Sequence, residues 1–336
     1  MRFLSVKLVC CTTSLSLFCP NVLLPAFMRG LYFLNLLVFY FSSISRDLKE
    51  LMNYRHRFHA GNFADLFKHT ILMLLLEKLL EKNSPFFVLD THAGEGAYFL
   101  ENSDAEKTQE YLEGFALLCP HLPHSGALSM WNKWLETYDQ QKFYPGSPKI
   151  ISAYLREKDR ASLCEAHAAT YEILKQNTTL STHNRDGVLA LKALLPPAEN
   201  RGLVFIDPSY EKEEEWLQIA NALLQIYKNF SHGIYAIWYP IKHRHLVQKF
   251  LRAFVENPVP KIFVCEIDLA GIINNSNLNA CGMMIINPPW KFPEKCQEST
   301  EELLKIWQIN AADKDKNLRY INYWLIDESG TVQRYP

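Results

Sequence analysis

The stretch Leu203-Val-Phe-Ile-Asp207-Pro208-Ser209-Tyr210 decides the fold prediction for this chain. Its apolar residues predict a buried strand. The acid, proline and aromatic residue that follow predict a rigid polar turn at the carboxyl end of that strand. Open α/β sheets bind their ligands at the carboxyl ends of the strands, so this turn is a candidate active site. An isolated D-P-x-Y is also compatible with an ordinary exit from a strand into a loop, and other segments must decide between the two.

Asp207, Pro208 and Tyr210 suit a reaction on a planar base that carries an amino group. A carboxylate at Asp207 accepts a hydrogen bond from an exocyclic N–H. Pro208 stiffens the turn, and the ring of Tyr210 can stack on the base. We therefore interpret these three residues as candidate catalytic residues.

Apolar runs alternate with helical segments along the rest of the chain, which predicts an α/β fold with a mainly parallel, doubly wound sheet. The segment from about 99 to 144 is polar and helical, and we interpret it as a small inserted helical subdomain. The other predicted strands are 86–90, 161–165, a strand that ends near 184, 233–240, 261–266 and 282–287.

A glycine turn, Thr91-His-Ala-Gly94-Glu-Gly96, follows the first predicted strand. Glycines allow backbone N–H groups to approach a nucleotide-like cofactor closely at this position. The signal is weak when taken alone. An acid at the end of the strand, Asp90, favours a neutral or cationic cofactor such as S-adenosylmethionine over one that carries phosphates.

Two further acids follow predicted strands. Glu165 ends the second strand, and in nucleoside-binding α/β folds such an acid holds the ribose hydroxyls, usually about 20 residues after the glycine turn. The inserted helices account for its greater separation here. Asp186, followed by Gly187, can accept a hydrogen bond from an adenine amino group, although Asp-Gly is equally compatible with a plain turn.

Asn287-Pro-Pro-Trp290 is a rival to the motif at Asp207, because it also places a polar residue, prolines and a ring after a strand. The glycine turn, Glu165 and Asp207 belong to the strands that share one crevice of the predicted sheet, whereas Asn287 belongs to the far half. We therefore expect the reaction at Asp207.

The segment Tyr54-Arg55-His56-Arg-Phe-His59 interleaves basic groups with aromatic rings. Such groups pair with phosphates and stack on bases, so the segment is a candidate RNA-binding arm. The alternative is a terminal segment that simply docks on the domain. Asn62 then begins a helix to about residue 82, for which we expect an amphipathic pattern.

Residues 1–51 differ from the rest in being strongly apolar. Their apolar runs are interrupted before they reach the ~20 residues of a spanning helix. We interpret the segment as a wrongly assigned start upstream of Met52, with a peripheral or membrane segment and a disordered segment as alternatives. The folded domain would then be 52–336.

The formal net charge of the 336 residues is −1, and residues 1–51 hold five of the 35 basic and two of the 36 acidic side chains. The protein as a whole therefore has no positive electrostatic field that would favour nucleic-acid binding. Contacts with a nucleic acid must come from a local basic patch. The eight cysteines show no metal-ligand spacing, and we expect reduced thiols in a cytoplasmic protein, no metal and no membrane.

Several motifs together resemble the RlmJ family of bacterial 23S ribosomal RNA adenine-N6 methyltransferases. The resemblance covers the chain from Met52 onwards, and its first motif is specific to that family. It depends on Tyr54-Arg-His-x-Phe-His-Ala-Gly-Asn, Lys68-His-Thr, Leu89-Asp-Thr-His-Ala-Gly94, Glu110-Tyr-Leu-Glu-Gly114, Tyr144-Pro-Gly-Ser147-Pro, Asp186-Gly, Asp207-Pro-x-Tyr, Ile237-Trp-Tyr-Pro240 and Ile286-Asn-Pro-Pro-Trp290.

The resemblance implies a Rossmann-like, S-adenosylmethionine-dependent methyltransferase that acts on a flipped adenine of 23S ribosomal RNA. We expect the protein to be a monomer. One departure is Ser209, where the family usually has a second proline, so rate or base preference can differ. The implied cofactor-binding residues are His69, His92, Ser147, Glu165, Asp186, Gly187 and Asp207, and the expected RNA-binding residues are Tyr54, Arg55, His56 and Lys68.

Three other functions remain open at this stage. The chain can be an adenine-N6 methyltransferase of DNA or of another RNA, which a panel of nucleic acids would separate. It can be a non-catalytic RNA-binding assembly factor, which would not bind the cofactor. It can also be a membrane-anchored protein, which cell fractionation would reveal.

Overall fold

The computed structural model describes residues 56–101, 103–120, 126–257, 259–269, 278–311 and 318–333, without the side chains of 137–141. Residues 1–51, and the predicted RNA contacts Tyr54 and Arg55, lie outside these ranges. Within them, no helix combines the length and the apolar composition that crossing a membrane requires.

Eight strands form one sheet. Their order across the sheet is β10-β8-β9-β7-β6-β1-β4-β5. The strands are β1 (Phe87–Asp90), β4 (Arg160–Glu165), β5 (Ser181–Asn184), β6 (Gly202–Ile206), β7 (Ile234–Pro240), β8 (Ile262–Asp268), β9 (Ala280–Ile286) and β10 (Arg319–Ile326), and two short strands outside this sheet, β2 (Ala97–Phe99) and β3 (Phe143–Pro145), pair with each other.

Five neighbouring strands, β7, β6, β1, β4 and β5, are parallel. The strands β4 and β5 follow β1 along the chain and lie on one side of it in the sheet. The next strands, β6 and β7, lie on the other side of β1. A ligand crevice forms at the topological switch point, where the strand order reverses. In this sheet the switch point is at the carboxyl ends of β1 and β6. The prediction of an α/β fold with a mainly parallel sheet is confirmed.

The other side of the sheet differs from the prediction, because β9, β8 and β10 are joined to it by antiparallel pairing. The strand β10 was not predicted, nor was the β2–β3 pair. Since β9 runs against β7, Asn287 lies at the opposite edge of the sheet from Asp207. There its side-chain Nδ2 donates to the carbonyls of Ser231 and Gly233, at 2.7 and 2.8 Å, which is a structural role.

Helices cover both faces of the sheet. The apolar side chains of each central strand alternate between the faces, as Val88 and Leu89 do in β1. The helices are α1 (Phe63–Leu80), α2 (Asp104–Thr108), α3 (Phe115–Leu118), α4 (Asn132–Gln141), α5 (Ser147–Tyr154), α6 (Ala168–Asn177), α7 (Gly187–Leu194), α8 (Glu213–Tyr227), α9 (Arg244–Glu256) and α10 (Phe292–Asn310), with 3₁₀ turns at His56–Phe58, Glu110–Glu113 and Ser129–Trp131.

The helix α1 begins as predicted, because the Oδ1 atom of its N-cap Asn62 accepts from the backbone N–H of Asp65 at 2.9 Å. The prediction of an amphipathic helix was wrong. Fifteen of its 18 residues are buried, since the helix packs on the sheet and is covered by α5 and α10. Burial on all sides places even Asp65 and Lys68 in the interior, directly behind the predicted active site.

Candidate active site

Asp207 follows β6 at the carboxyl edge of the sheet, and a buried lysine holds its carboxylate. The Nζ atom of Lys68 lies 2.5 Å from Oδ2 of Asp207 and 2.6 Å from Oδ1 of Asp65. The same ammonium group lies 5.4 Å from the ring centroid of Trp238. Lys68 is only 3% exposed, so in this structure it contacts Asp207 rather than the solvent side where an RNA phosphate would lie.

Asp65 anchors this arrangement from within α1. Its Oδ2 atom accepts from the backbone N–H of Gly61 at 2.8 Å and lies 3.1 Å from Nε2 of His56. Burial by itself would raise the pKa of Asp65, but the positive charges of His56 and Lys68 hold that pKa well below its usual value. The predicted RNA contact His56 is thereby linked to Asp207 through Asp65 and Lys68, by three successive contacts.

Tyr210 closes the turn after Asp207 in an unusual backbone conformation. Its φ of 50° lies in the left-handed region, which is strained for a residue with a side chain. Its hydroxyl donates to the carbonyl of Trp238 at 3.0 Å, and its ring lies 4.2 Å from that of Trp216. Pro208 is buried beside it and Ser209 is exposed, so the departure from the family pattern lies on the outside of the turn.

The glycine turn after β1 is held by Glu165. The Oε2 atom of Glu165 accepts from the N–H of Gly94 at 3.1 Å, and Oε1 accepts from the N–H of His167 at 2.7 Å. Burial raises the pKa of Glu165, although these N–H groups act in the opposite direction. The predicted ribose acid therefore shapes the turn that a nucleoside would touch.

Asp186 and Gly187 begin α7 beside the same turn. The Oδ1 atom of Asp186 caps the helix by accepting from the N–H of Leu189 at 2.9 Å. A Cβ atom placed on Gly187 would lie 2.6 Å from the carbonyl oxygen of Thr91 and 2.7 Å from the ring of His92. Burial lowers the pKa of His92 to about 4, although the charges of Asp207 and Asp186 act in the opposite direction. His92 is thus a neutral imidazole at pH 7.

His69 lies deeper than the other predicted cofactor residues. It is 2% exposed, and its Nδ1 atom lies 2.6 Å from the hydroxyl of Tyr144. Burial lowers the pKa of His69 to about 3, so the imidazole is neutral. Its ring lies between Tyr144 and Phe205, behind β6 rather than at the open end of the crevice.

Comparison with known proteins identifies the family. The family model described as "Ribosomal RNA large subunit methyltransferase D, RlmJ" matches residues 83–313. The chain belongs to this RlmJ family. Two relatives, both named Ribosomal RNA large subunit methyltransferase J, align with most of this chain. The Escherichia coli K12 relative is 38% identical over 73% of this chain and 90% of its own length, and the Haemophilus influenzae relative is 37% identical over 76% and 94%.

A solved structure is also similar to this chain. A crystal structure of a protein from Legionella pneumophila is 35% identical to this chain and superposes with a TM-score of 0.69. The superposition includes 98% of the Legionella chain and 79% of this chain. The family match and the two named relatives confirm the resemblance inferred from the motifs.

One buried residue of this RlmJ-family site was not among the predicted cofactor residues. Asp90, at the end of β1, is fully buried, and its Oδ2 atom has no hydrogen-bond partner among the described residues. Burial raises its pKa to about 7, although Ser147 and the N–H of His92 act in the opposite direction. The strand-ending acid was visible in the sequence, but only the structure shows that one of its oxygens has no partner in the described part of the chain.

The close approach at Gly187 yields a testable prediction for the site. We expect Gly187→Ala to reduce cofactor affinity at least 10-fold and to destabilise the fold by about 2 kcal/mol, because the new methyl group displaces α7 from the glycine turn. Isothermal titration with S-adenosylmethionine and thermal unfolding measure the two effects. Lys192→Ala, on the exposed side of the same helix, should change neither. Unchanged affinity in Gly187→Ala would contradict the placement of the cofactor here.

Proposed function

We propose that the protein transfers a methyl group from S-adenosylmethionine to the N6 amino group of an adenine in 23S ribosomal RNA. The observation that carries the proposal is Asp207 at the switch point of the sheet, with one carboxylate oxygen held by Lys68. The other oxygen, Oδ1, is then able to accept from an amino group. Membership of the RlmJ family supports ribosomal RNA as the substrate.

The residues at the crevice fit S-adenosylmethionine. Asp90 offers a buried carboxylate oxygen to which no described residue makes a hydrogen bond, and this oxygen suits the ammonium group of the cofactor. Glu165 lies at the glycine turn, where the ribose would be, and Asp186 with the exposed side chain of Leu189 would flank the adenine ring. When bound, the cofactor supplies a methyl group on a positively charged sulfur.

Asp207 would act by hydrogen bonding rather than by removing a proton first. An adenine amino nitrogen is a poor nucleophile because its lone pair is delocalised into the ring. Acceptance of its N–H groups by Asp207 and by the carbonyl of Pro208 would localise that lone pair towards the methyl group. As the N–C bond forms, the S–C bond would break, and the surplus proton on N6 would then leave through Asp207 to solvent. The ammonium of Lys68 already contacts Oδ2 of Asp207 and would hold the carboxylate in position to accept a hydrogen bond. Positioning would supply much of the remaining acceleration.

The target adenine would be flipped out of its helix, since its amino group cannot be reached inside a duplex. Tyr210 would then stack on it. We expect Tyr210→Phe to retain most activity and Tyr210→Ala to lose about 10²-fold in kcat/KM, because stacking contributes ~1–3 kcal/mol per base. Steady-state methylation of transcribed ribosomal RNA measures both. Equal losses in the two variants would instead assign the role to the hydroxyl and its bond to Trp238.

The experiment that tests the proposal is mass spectrometry of nucleosides and fragments of 23S ribosomal RNA from cells with and without the gene. We expect loss of one N6-methyladenosine, restored by the wild type and not by Asp207→Ala. An unchanged pattern would overturn the choice of substrate and direct the search to DNA or another RNA. We also propose a cytoplasmic monomer, which size-exclusion chromatography with light scattering and cell fractionation test.

A further inference from the structure

One long segment of the chain contains no acidic residue. Residues 216–255 hold five Lys or Arg and three His but neither Asp nor Glu, in a chain whose formal net charge is −1. Nucleic-acid binding by such a chain requires a local basic patch, because the whole-protein field is not positive. The acid-free segment is therefore the first place to search for one.

The segment reaches the surface at the edge of the sheet where Asp207 lies. Within it, β7 pairs in parallel with β6, so both strands end at that edge. The carbonyl of Trp238 in β7 accepts from the hydroxyl of Tyr210. Lys242 and His243 follow β7 after Ile241 and are exposed. They thus flank the proposed target site on the β7 side.

The helix α9 continues the basic surface. Its apolar side sits against the sheet, with Val247, Phe250, Leu251 and Phe254 buried. His245 is exposed in α9, and so are Lys249, four positions later, and Arg252, three positions after that. This spacing places the three basic residues on one side of the helix. With a rise of 1.5 Å per residue, this row is about 10 Å long. Glu256, one turn further, marks its end.

The beginning of α9 is fixed by a buried acid. The Nη1 atom of Arg244 lies 2.6 Å from Oε2 of Glu266, whose Oε1 accepts from the hydroxyl of Tyr239 at 2.9 Å. Glu266 is 4% exposed, so Arg244 serves to anchor the helix. The neighbouring basic groups are therefore presented from an ordered backbone, which reduces the entropy lost on binding.

We propose that the α9 face, defined as Lys242, His243, His245, Lys249 and Arg252, binds phosphates of the ribosomal RNA strand that flanks the target nucleotide. The inference rests on the proposed function and adds a binding surface to it. Charge complementarity identifies the partner as a polyanion, and the position of Lys242 and His243 at the edge where Asp207 lies identifies it as the substrate RNA. Glu213 and Glu214 in the first turn of the adjacent α8 would repel the strand and direct it along α9.

The test compares two double variants with the same loss of charge. Lys242→Gln/Lys249→Gln changes the α9 face, and Lys291→Gln/Lys295→Gln changes exposed lysines near the opposite edge of the sheet. Filter binding of unmodified 23S ribosomal RNA transcript between 50 and 300 mM salt gives affinity and its salt dependence. We expect the first variant to bind about 10-fold more weakly and to lower the slope of log K against log salt by about 1.4.

The other outcomes separate this inference from the proposed function. The α9 variant should keep wild-type affinity for S-adenosylmethionine and its melting temperature, with its defect in KM for RNA rather than in kcat. Equal weakening in both variants, or none in either, would overturn the α9 face while leaving the methyltransferase proposal intact. A wild type that binds the transcript but does not methylate it would overturn the proposed function and leave the surface assignment standing.

Discussion

Replacing Asp207 by alanine is expected to lower kcat for methyl transfer by at least about 10³-fold, the scale of removing a preorganised polar group from a transition state. The variant removes the acceptor that would localise the lone pair of the adenine nitrogen. Single-turnover methylation of transcribed 23S ribosomal RNA measures the loss. Asp207→Asn, which keeps one acceptor oxygen, should fall between the wild type and Asp207→Ala.

The fold should survive this change, because Lys68 retains its contact with Asp65. Unfolding temperature and RNA affinity are therefore expected to stay near the wild-type values. Titration with S-adenosylmethionine separates the two roles predicted for Asp207, since a pure acceptor of the substrate would leave cofactor affinity unchanged. Ser209→Pro, on the exposed side of the turn, is a control that should remain active. Substantial kcat in Asp207→Ala would sink the proposed mechanism.

Replacing Asp90 by asparagine is expected to weaken S-adenosylmethionine binding at least 100-fold and to stabilise the protein without cofactor. Burial raises the pKa of Asp90 to about 7. A carboxyl group whose pKa is raised by folding destabilises the folded state as pH rises from the unfolded pKa through the folded one. The cost at pH 8 is on the order of 4 kcal/mol. The ammonium group of a bound cofactor would offset it.

The pH dependence gives this prediction its sharpest test. Affinity of the wild type for S-adenosylmethionine should rise between pH 6 and pH 8, as Asp90 ionises, and the rise should be absent in Asp90→Asn. Calorimetry at several pH values measures this, together with the proton released on binding. A wild-type affinity that does not change with pH, or that falls, would contradict a cofactor ammonium at Asp90.

Asp159 provides a matched control for a buried aspartate outside the site. Burial would raise its pKa, but hydrogen bonds from Arg156 and from the N–H groups of Arg156 and Phe86 hold that pKa below its usual value. Asp159→Asn should therefore destabilise the fold, which is the opposite of Asp90→Asn, and leave cofactor affinity unchanged. Loss of cofactor affinity in both variants would point to a general effect of the substitutions on folding.

The sequence by itself determined most strands of the large sheet and their order along the chain, since buried runs and turn residues depend only on neighbouring positions. It predicted the parallel core, the glycine turn and the D-P-S-Y turn, because an acid directly after an apolar run is a local pattern in the sequence. It also identified the RlmJ family through motifs spread from residue 54 to residue 290. It did not find β10, whose side chains are mostly half-buried at the edge of the sheet and show little alternation.

Only the tertiary structure decided which polar groups meet. The sequence predicted an amphipathic helix with Lys68 available to RNA. In the structure α1 is packed on all sides, and the ammonium of Lys68 contacts Asp207, 139 positions away. The same holds for Asp90, whose shifted pKa depends on what surrounds it, and for Asn287, which antiparallel pairing of β9 moves to the opposite edge. Local sequence determines how a segment folds, but desolvation and charge pairing depend on neighbours that only the assembled fold supplies.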